Sequence, residues 1–421
     1  MVSLSIVIPA YNEEDGIAEI AERVLAIRPA LAEANIGSLE LLVVDDGSRD
    51  RTVEIASQIP GVTLVRHERN KGYGAALKTG FGLARGDLIG FLDADGTYPP
   101  EYFPALCREA LKGTDLVIGS RMAGAESRMP RTRRVGNLFF ATLLSLLAHR
   151  RVTDSASGMR VFRREILERI YPLPDGLNLT PVMSTRALHE GLAVAEVPIP
   201  YSERLGRSKL SVVHDGSLFL RSMVWTALTY NPVRILGLMG LAGIFFSLVV
   251  AAWLIVARLQ GQTTLSPVAV AALFVGVVAG VTGTSVFSLG VSFNYLVSLF
   301  YDQPIRQGLW GRPLFQTPLE HHFGWLGLLA LLTGLGVGAA SLALSLNGWE
   351  ISRLWLYLLG SAMFILVGVQ LMINWVLLRV LEELSRREQL IATALPERNN
   401  AVTPAKELDS QLALNPQLPR S

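Results

Sequence analysis

The sequence predicts an α/β domain with a parallel sheet covered on both faces, followed by an α-helical membrane domain of four transmembrane helices. In the first half, apolar runs of strand length alternate with helical patterns, as in βαβ units. Half of the 421 residues are hydrophobic, and the mean hydropathy is +0.37. Long uncharged stretches after Asn231 account for this excess. The two halves of the chain therefore suit different solvents.

Each predicted strand is a short apolar run that is followed by polar residues. The predicted strands are Ser3–Ile8, Leu39–Val44, Val62–Arg66, Leu88–Leu92, Leu116–Gly119 and Ala193–Pro198. Asn12 is the expected N-cap of a helix that runs to about Leu31. Further helices are expected from Thr52, through Leu83 and over Pro100–Leu111. Because carboxyl ends of parallel strands share one edge of a sheet, we expect the polar residues after them to form one site.

Two carboxylates follow the fourth predicted strand, in Asp93-Ala94-Asp95. Oxygen donors at this edge suit Mg²⁺ or Mn²⁺, which take their remaining ligands from water and substrate phosphates. Acidic residues after strands are also common turn formers. The pair by itself therefore leaves a metal site and a turn as alternatives.

Composition and motifs exclude several other classes of protein. Cys107 is the only cysteine, which excludes an internal disulfide and a thiolate zinc cluster. The net charge is +2, and no basic and aromatic pattern indicates nucleic acid binding. The turn Gly72-Tyr73-Gly74 lacks both the dinucleotide and the P-loop pattern. By itself this turn is an ordinary helix start, although helix N-termini also hold diphosphates.

Five short motifs occur in order over the first 121 residues. They are Ile8-Pro9-Ala10-Tyr11-Asn12-Glu13, Val44-Asp45-Asp46-Gly47-Ser48, Asn70-Lys71-Gly72, Asp93-Ala94-Asp95 and Gly119-Ser120-Arg121. This set resembles the family 2 glycosyltransferases of the GT-A fold. More narrowly it resembles the polyprenyl-phosphate glycosyltransferases, the group that contains dolichyl-phosphate mannose synthase. The resemblance covers about residues 3–210 and implies a Rossmann-like mixed sheet in a cytoplasmic catalytic domain over residues 1–210.

The resemblance also implies roles for individual residues. In the family, matching segments hold the nucleoside, the diphosphate and a divalent metal. The implied nucleotide-sugar residues are Pro9, Tyr11, Glu13, Asp46, Lys71, Asp93, Ala94 and Asp95. Asp93 and Asp95 are also the implied ligands of Mg²⁺ or Mn²⁺. An acidic pair would repel a diphosphate without that metal.

A second set of residues resembles the acceptor side of these enzymes. Asp154-Ser155-Ala156-Ser157-Gly158-Met159-Arg160 is similar to a family segment near the acceptor, and Asp154 and Arg160 join Asp93 and Asp95 as predicted catalytic residues. Asp154 is expected to position the donor. A role as a base is the weaker alternative, because a phosphomonoester is already a nucleophile at pH 7. The predicted ligands of an acceptor phosphate are Arg121, Arg133, Arg134, Asn137, Arg207 and Lys209.

The stretch Val135–Ala148 contains no charged residue and follows an arginine cluster that includes Arg128. It is too short to cross a bilayer, which needs about 20 residues. A helix over about residues 134–149 is therefore expected in the membrane interface. The alternative is a buried core helix that follows a solvated basic turn.

The second half predicts four membrane spans. These are Leu236–Val256, Val268–Leu299, Trp325–Leu346 and Leu354–Leu378. We expect a juxtamembrane amphipathic helix over residues 211–232, a membrane domain over 233–380 and a largely disordered polar tail over 381–421. The chain is expected to be a multi-pass protein of the inner (plasma) membrane. The distribution of arginines between the loops predicts that the catalytic domain and both termini lie in the cytoplasm. The glycine-lined second span leaves room for a homo-oligomer.

The sequence therefore predicts a membrane enzyme that transfers one sugar from a nucleotide sugar to a polyprenyl phosphate, undecaprenyl or dolichyl, among membrane lipids. A processive polysaccharide synthase is one alternative, although the Gln-x-x-Arg-Trp segment of those proteins is absent. A non-catalytic subunit of a flippase that senses sugar nucleotide is another. The sequence leaves uridine and guanosine donors equally open.

Overall fold

The computed structural model describes residues 1–122, 129–148, 150–201, 212–262, 264–300, 309 and 319–394. The chain forms two compact units, residues 1–230 and residues 231–421. The first unit contains a seven-stranded sheet. The second contains long apolar helices.

The sheet of the first unit is mixed. Its strands are β1 (Val2–Ala10), β2 (Ile36–Asp45), β3 (Val62–Arg66), β4 (Leu88–Phe91), β5 (Leu116–Ser120), β6 (Arg160–Arg163) and β7 (Val194–Pro198). Their order is β3-β2-β1-β4-β6-β5-β7. Only β6 is antiparallel to its neighbours, β4 and β5. The strand and helix pattern by itself predicted a parallel sheet and missed β6, whereas the resemblance implied the mixed sheet that is observed.

Helices cover both faces of this sheet. They are α1 (Ile17–Ala26), α2 (Arg28–Glu33), α3 (Thr52–Ser57), α4 (Tyr73–Leu83), α5 (Phe103–Leu111), α6 (Arg131–Ala148), α7 (Leu167–Ile170), α8 (Leu179–His189) and α9 (Val212–Tyr230). Alternate residues of β1 divide between two apolar clusters. Ile6 lies in one with Ile17 of α1, and Val7 lies in the other with Phe81 of α4.

Asn12 does not cap the first helix, so that prediction is wrong. Its backbone is left-handed, with φ of +51°, and α1 begins five residues later, after Gly16. Asparagine tolerates this conformation better than most residues. Its side chain accepts a hydrogen bond from the Arg49 amide (2.9 Å), and its amide donates to the Ser48 hydroxyl (2.9 Å). The turn after β1 is thereby tied to the turn after β2.

Helices α6 and α9 pack together within the first unit. The rings of Phe140 and Phe219 lie 5.8 Å apart, and Leu144 of α6 and Met223 of α9 share a small buried cluster. The opposite side of α6 is apolar and exposed. Val135, Leu138 and Phe139 are each more than half exposed.

In the described part of the second unit, four helices are long and apolar enough to cross a membrane. They are α10 (Pro232–Leu259), α11 (Pro267–Phe300), α12 (Phe323–Leu346) and α13 (Ile351–Ala394). A hydrogen bond joins α13 to α11: the side-chain amide of Asn374 donates to the Ser288 hydroxyl (2.6 Å). Helix α13 continues into the segment predicted to be disordered, and residues 395–421 of that segment lie outside the described residues.

Two glycines of α4 provide a test of the packing against β1. A Cβ at Gly80 would collide with the Val7 side chain, whereas a Cβ at Gly82 would meet nothing within 4 Å. Gly80→Ala should therefore reduce the free energy of unfolding of the first unit by about 1–3 kcal/mol through overpacking. Gly82→Ala should leave it unchanged or raise it by up to about 1 kcal/mol, because alanine is the better helix former. Thermal unfolding in detergent measures both, and equal midpoints for the two variants would contradict this packing.

Candidate active site

A cavity of about 530 Å³ lies at the edge of the sheet where β1, β2 and β4 end. Seven of the eight predicted nucleotide-sugar residues line it: Pro9, Tyr11, Glu13, Asp46, Asp93, Ala94 and Asp95. The eighth, Lys71, has an exposed side chain, and its backbone amide donates to Asp46 Oδ1 (2.9 Å). The parallel strands therefore bring together residues that lie far apart in the sequence, as expected.

The acidic pair after β4 is oriented by its neighbours. The Tyr73 hydroxyl donates to Asp93 Oδ1 (2.8 Å), and a Cβ at Gly158 would lie 2.5 Å from Asp93 Oδ2. Asp95 Oδ1 accepts hydrogen bonds from the Thr97 amide (3.1 Å) and hydroxyl (2.6 Å). Burial, followed by the nearby Asp93 carboxylate, raises the pKa of Tyr73 well above its ordinary value. Tyr73 therefore stays protonated and remains a donor to Asp93.

These two carboxylates fit a divalent cation that is shared with a substrate. Both line the cavity, and they are hard oxygen ligands. No group of three or more acidic, histidine or cysteine side chains suited to a metal occurs in the described part of the chain. A cation here would therefore complete its coordination with water and phosphate oxygens, as Mg²⁺ commonly does.

Asp46 is held beside the turn that begins α4. Its Oδ2 accepts a hydrogen bond from the Gly72 amide (2.8 Å), and its Oδ1 contacts Nδ1 of the buried His67 at 2.7 Å. Gly72 has φ of +107°, which favours glycine, and a Cβ there would lie 2.5 Å from the Asp175 carbonyl oxygen. The motif Asn70-Lys71-Gly72 thus shapes the turn that holds Asp46.

Asp154 forms a buried ion pair with Arg121. Arg121 Nε donates to Asp154 Oδ2 (2.7 Å) and its terminal nitrogen to Oδ1 (2.8 Å). Burial by itself would raise the pKa of Asp154, but the Arg121 charge and hydrogen bonds outweigh it and the net pKa is lowered. A carboxylate so stabilised is a poor general base. The geometry therefore favours the positioning role predicted for Asp154 over the base.

Arg160 is buried and does not line the cavity. Its side chain is fully buried, with Nε donating to the Ser157 carbonyl (3.0 Å) and a terminal nitrogen to the Ser155 carbonyl (2.8 Å). Burial lowers its pKa to about 10. The Arg160 guanidinium fastens the loop before β6 through these two hydrogen bonds, and its assignment as a catalytic residue stays a prediction.

The predicted acceptor ligands fall into three groups. Arg121 and Arg133 line the cavity, and Arg133 donates to the Tyr201 hydroxyl (3.2 Å). Asn137 is buried close enough to Asp154 to help lower the pKa of that carboxyl, whereas Arg134 is exposed and does not line the cavity. Arg207 and Lys209 lie outside the described residues, as does Arg128 of the arginine cluster.

Several cavity residues were missed by the sequence motifs. The Arg121 guanidinium lies 5.6 Å from the Tyr98 ring centre and 6.0 Å from that of Tyr201, within the range of a cation–π contact. Leu177 and Leu218 add apolar walls from segments far along the chain. Of these residues, only Tyr98 could have been found from the sequence, because it is an aromatic residue three positions after Asp95.

Two family models match the chain. Residues 5–171 match the family described as "Glycosyl transferase family 2". Residues 232–392 match the one described as "Domain of unknown function (DUF8752)". A dolichyl-phosphate hexose transferase of Haloferax volcanii is 35% identical over 221 residues, which is 52% of this chain and 92% of the relative. The chain belongs to glycosyltransferase family 2. The predicted GT-A fold with a mixed sheet is thereby confirmed, and the protein is a glycosyltransferase.

Another relative extends the similarity of this family 2 glycosyltransferase into the apolar half. An undecaprenyl-phosphate 4-deoxy-4-formamido-L-arabinose transferase of Pseudomonas paraeruginosa is 32% identical over 317 residues, which is 72% of this chain and 87% of the relative. Among solved structures, glucosyl-3-phosphoglycerate synthase from Mycobacterium tuberculosis, in complex with Mn²⁺, UDP and phosphoglyceric acid, is 23% identical. That match covers 54% of this chain and 78% of the other, with a TM-score of 0.43.

The buried ion pair predicts a non-additive pattern of stability. Arg121→Met should destabilise the first unit by about 3–5 kcal/mol, because it leaves the Asp154 carboxylate buried without its partner. The double variant Arg121→Met/Asp154→Asn should be closer to wild type than Arg121→Met alone. Thermal unfolding in detergent measures the stability of the wild type, Arg121→Met and the double variant.

The pH dependence of this pattern has a definite sign. The pKa of Asp154 is lowered in the folded state, so the stability it contributes is present above its unfolded pKa of about 3.9. That contribution is lost as the pH falls through the folded pKa. A double variant that is as unstable as Arg121→Met at neutral pH would show that the pair is not coupled.

Proposed function

We propose that this protein transfers one sugar from a UDP-sugar or GDP-sugar to a polyprenyl phosphate, with the help of Mg²⁺ or Mn²⁺. The observation that carries the proposal is that one cavity is lined both by the acidic pair and by two arginines, Arg121 and Arg133. The first set suits the diphosphate of a donor through a divalent cation, and arginine suits an acceptor phosphate. The names of the two relatives, which include a dolichyl phosphate and an undecaprenyl phosphate, support a polyprenyl phosphate as the acceptor.

The residues at the donor end would bind and orient the nucleotide sugar. Asp46 offers a carboxylate to the nucleoside, and Tyr11 adds an aromatic ring to the lining of the same cavity. Asp93 and Asp95 would hold the cation, which when bound neutralises charge on the departing diphosphate. Tyr73 and Thr97 keep the two carboxylates oriented, which reduces reorganisation during the reaction.

At the acceptor end, one phosphate oxygen of the lipid would attack the anomeric carbon. The new bond joins that oxygen to the sugar, and the bond from the sugar to the donor diphosphate breaks. A phosphomonoester has its second pKa near about 6 and so needs no base at neutral pH. This fits an Asp154 that is already paired with Arg121. Arg133, bonded to Tyr201 at the cavity wall, is our candidate for the acceptor phosphate.

The exposed apolar face of α6 supports a lipid acceptor. The helix presents Val135, Leu138 and Phe139 to the outside and carries Arg133 at the cavity. An uncharged helix surface of this kind suits the boundary between lipid headgroups and acyl chains. We therefore propose that α6 lies in the membrane interface. Arg207 and Lys209, which lie outside the described residues, remain proposed contacts of the acceptor phosphate.

The activity test uses the purified full chain. The protein would receive a panel of labelled sugar nucleotides, Mg²⁺ and undecaprenyl phosphate, and label would be measured in the organic phase. We expect transfer with at least one uridine or guanosine donor, loss of transfer with EDTA, and recovery with Mg²⁺ or Mn²⁺. Asp95→Asn should reduce turnover by at least about 100-fold, because it removes a charged ligand.

A matched control lies near the start of the same strand. Asp87, just before β4, is bonded to Ser3 away from the cavity. Asp87→Asn should therefore keep most of the activity. Transfer that persists in Asp95→Asn would overturn the proposed role of the acidic pair, and label that never reaches the lipid fraction would overturn the proposed acceptor.

We further propose that the chain lies in the inner membrane with its catalytic domain and termini in the cytoplasm. Gln262, between α10 and α11, would then face away from the cytoplasm. The native Cys107 is buried, so it should give little background labelling beside an engineered cysteine. In intact cells a membrane-impermeant maleimide should label Gln262→Cys, whereas Glu33→Cys, exposed on α2, should react only after lysis. The opposite labelling would reverse the proposed topology.

A further inference from the structure

His67 lies directly after β3 and is buried, with 5% of its surface exposed. Its ring connects two side chains that belong to different elements. Nδ1 lies 2.7 Å from Asp46 Oδ1, and Nε2 lies 2.9 Å from the hydroxyl oxygen of Thr79, on α4. None of the motifs that identify the family contains this residue, and it does not line the cavity.

The ring contact completes the hydrogen bonding of one oxygen of Asp46. A carboxylate oxygen accepts about two hydrogen bonds. Oδ1 receives the Lys71 amide (2.9 Å) and His67 Nδ1, while Oδ2 receives the Gly72 amide (2.8 Å). Oδ2 is therefore the oxygen with capacity for a further donor, and Asp46 lines the cavity.

The arrangement also determines the tautomer and direction of the ring. An ionised carboxylate only accepts hydrogen bonds, so Nδ1 carries the proton. The Thr79 hydroxyl can form a hydrogen bond with Nε2 whether or not Nε2 carries a proton, because a hydroxyl both donates and accepts. The backbone of His67 is fixed as well, since its amide donates to the Asp45 carbonyl (2.8 Å). The ring therefore holds the Asp46 carboxylate in one rotation.

We propose that His67 is a positioning residue for nucleobase recognition: held by Thr79, it orients Asp46 so that Oδ2 accepts a ring N–H of the donor base. Uracil and guanine carry such an N–H, whereas cytosine and adenine do not. This inference rests on the proposed function, because it takes Asp46 as the contact of the donor nucleoside. It adds a residue that acts on that contact through Asp46.

Two substitutions of His67 separate its two hydrogen bonds. The amide nitrogen of asparagine takes about the place of Nδ1, and that of glutamine takes about the place of Nε2. His67→Asn should therefore keep the bond to Asp46 and bind UDP or GDP, with Mg²⁺, within about three-fold of wild type. His67→Gln should lose that bond and raise the Kd about ten-fold or more, since hydrogen bonds to charged groups are the stronger ones. Calorimetry on the full chain in detergent measures both.

Kinetics provide a second readout that a purely structural role would not change. Asp46 contacts the donor equally before and during reaction, so His67→Gln should raise KM for the donor with little change in kcat. His189, which is 7% exposed and away from the cavity, provides a control. His189→Asn should leave the Kd and KM unchanged. Thr79→Val, a nearly isosteric change outside the cavity lining, should raise the Kd about three-fold and keeps the test available if the His67 variants do not fold.

The outcomes distinguish this inference from the proposed function. Equal nucleotide affinities for wild type, His67→Gln and Thr79→Val would overturn the inference and leave the proposed function standing. A second outcome is that the wild type binds the nucleotide, His67→Gln binds it more weakly, and the wild type transfers no sugar to polyprenyl phosphate. That outcome would support the inference and overturn the proposed function. A wild-type protein that binds neither UDP nor GDP would overturn both.

Discussion

The antiparallel insertion of β6 between β4 and β5 is the constraint on which the site depends. Strand β6 begins at the edge where its neighbours end, so the loop before it returns to the cavity. That loop brings Asp154 to Arg121 and Gly158 to Asp93. The buried Arg160, at the start of β6, fastens the loop through two of its carbonyl groups. A parallel strand at this position would send the same loop to the opposite edge.

A second feature of the site is that three of its acidic side chains have a defined partner from another segment of the chain. Asp46 is held by His67 and the Gly72 amide, Asp93 by Tyr73, and Asp154 by Arg121. Burial makes an unpaired carboxylate costly, so these hydrogen bonds stabilise the fold and orient the acids together. Orientation before substrate arrives is the main way in which protein groups stabilise developing charge. The cavity thus combines stability and preorganisation in the same contacts.

The elements that the sequence predicted well are those whose pattern is local. Strand β3 was predicted with its observed bounds, and β1, β2 and β5 within three residues at each end, because each contains a short run of strand-forming apolar residues followed by polar ones. Helix α6 was predicted to within a few residues, because its uncharged stretch after a basic turn is visible in the sequence. Asn12 was misread because cap and turn asparagines look alike in sequence. Strand β6 was missed because pairing with two distant strands, not its own pattern, makes it a strand.

The sequence by itself determined the class of the two halves, the order of the motifs and the acids that meet at the cavity, because these follow from local hydrophobicity and from residue types at short spacing. Only the tertiary structure decided which groups those acids contact. It buried Arg160 against the loop before β6, paired Asp154 with Arg121 and linked His67 to Asp46. The reason is that the contacts of Asp46 with His67 and of Asp154 with Arg121 join residues 21 and 33 positions apart, and their geometry depends on strand order and on how loops return to one edge of the sheet.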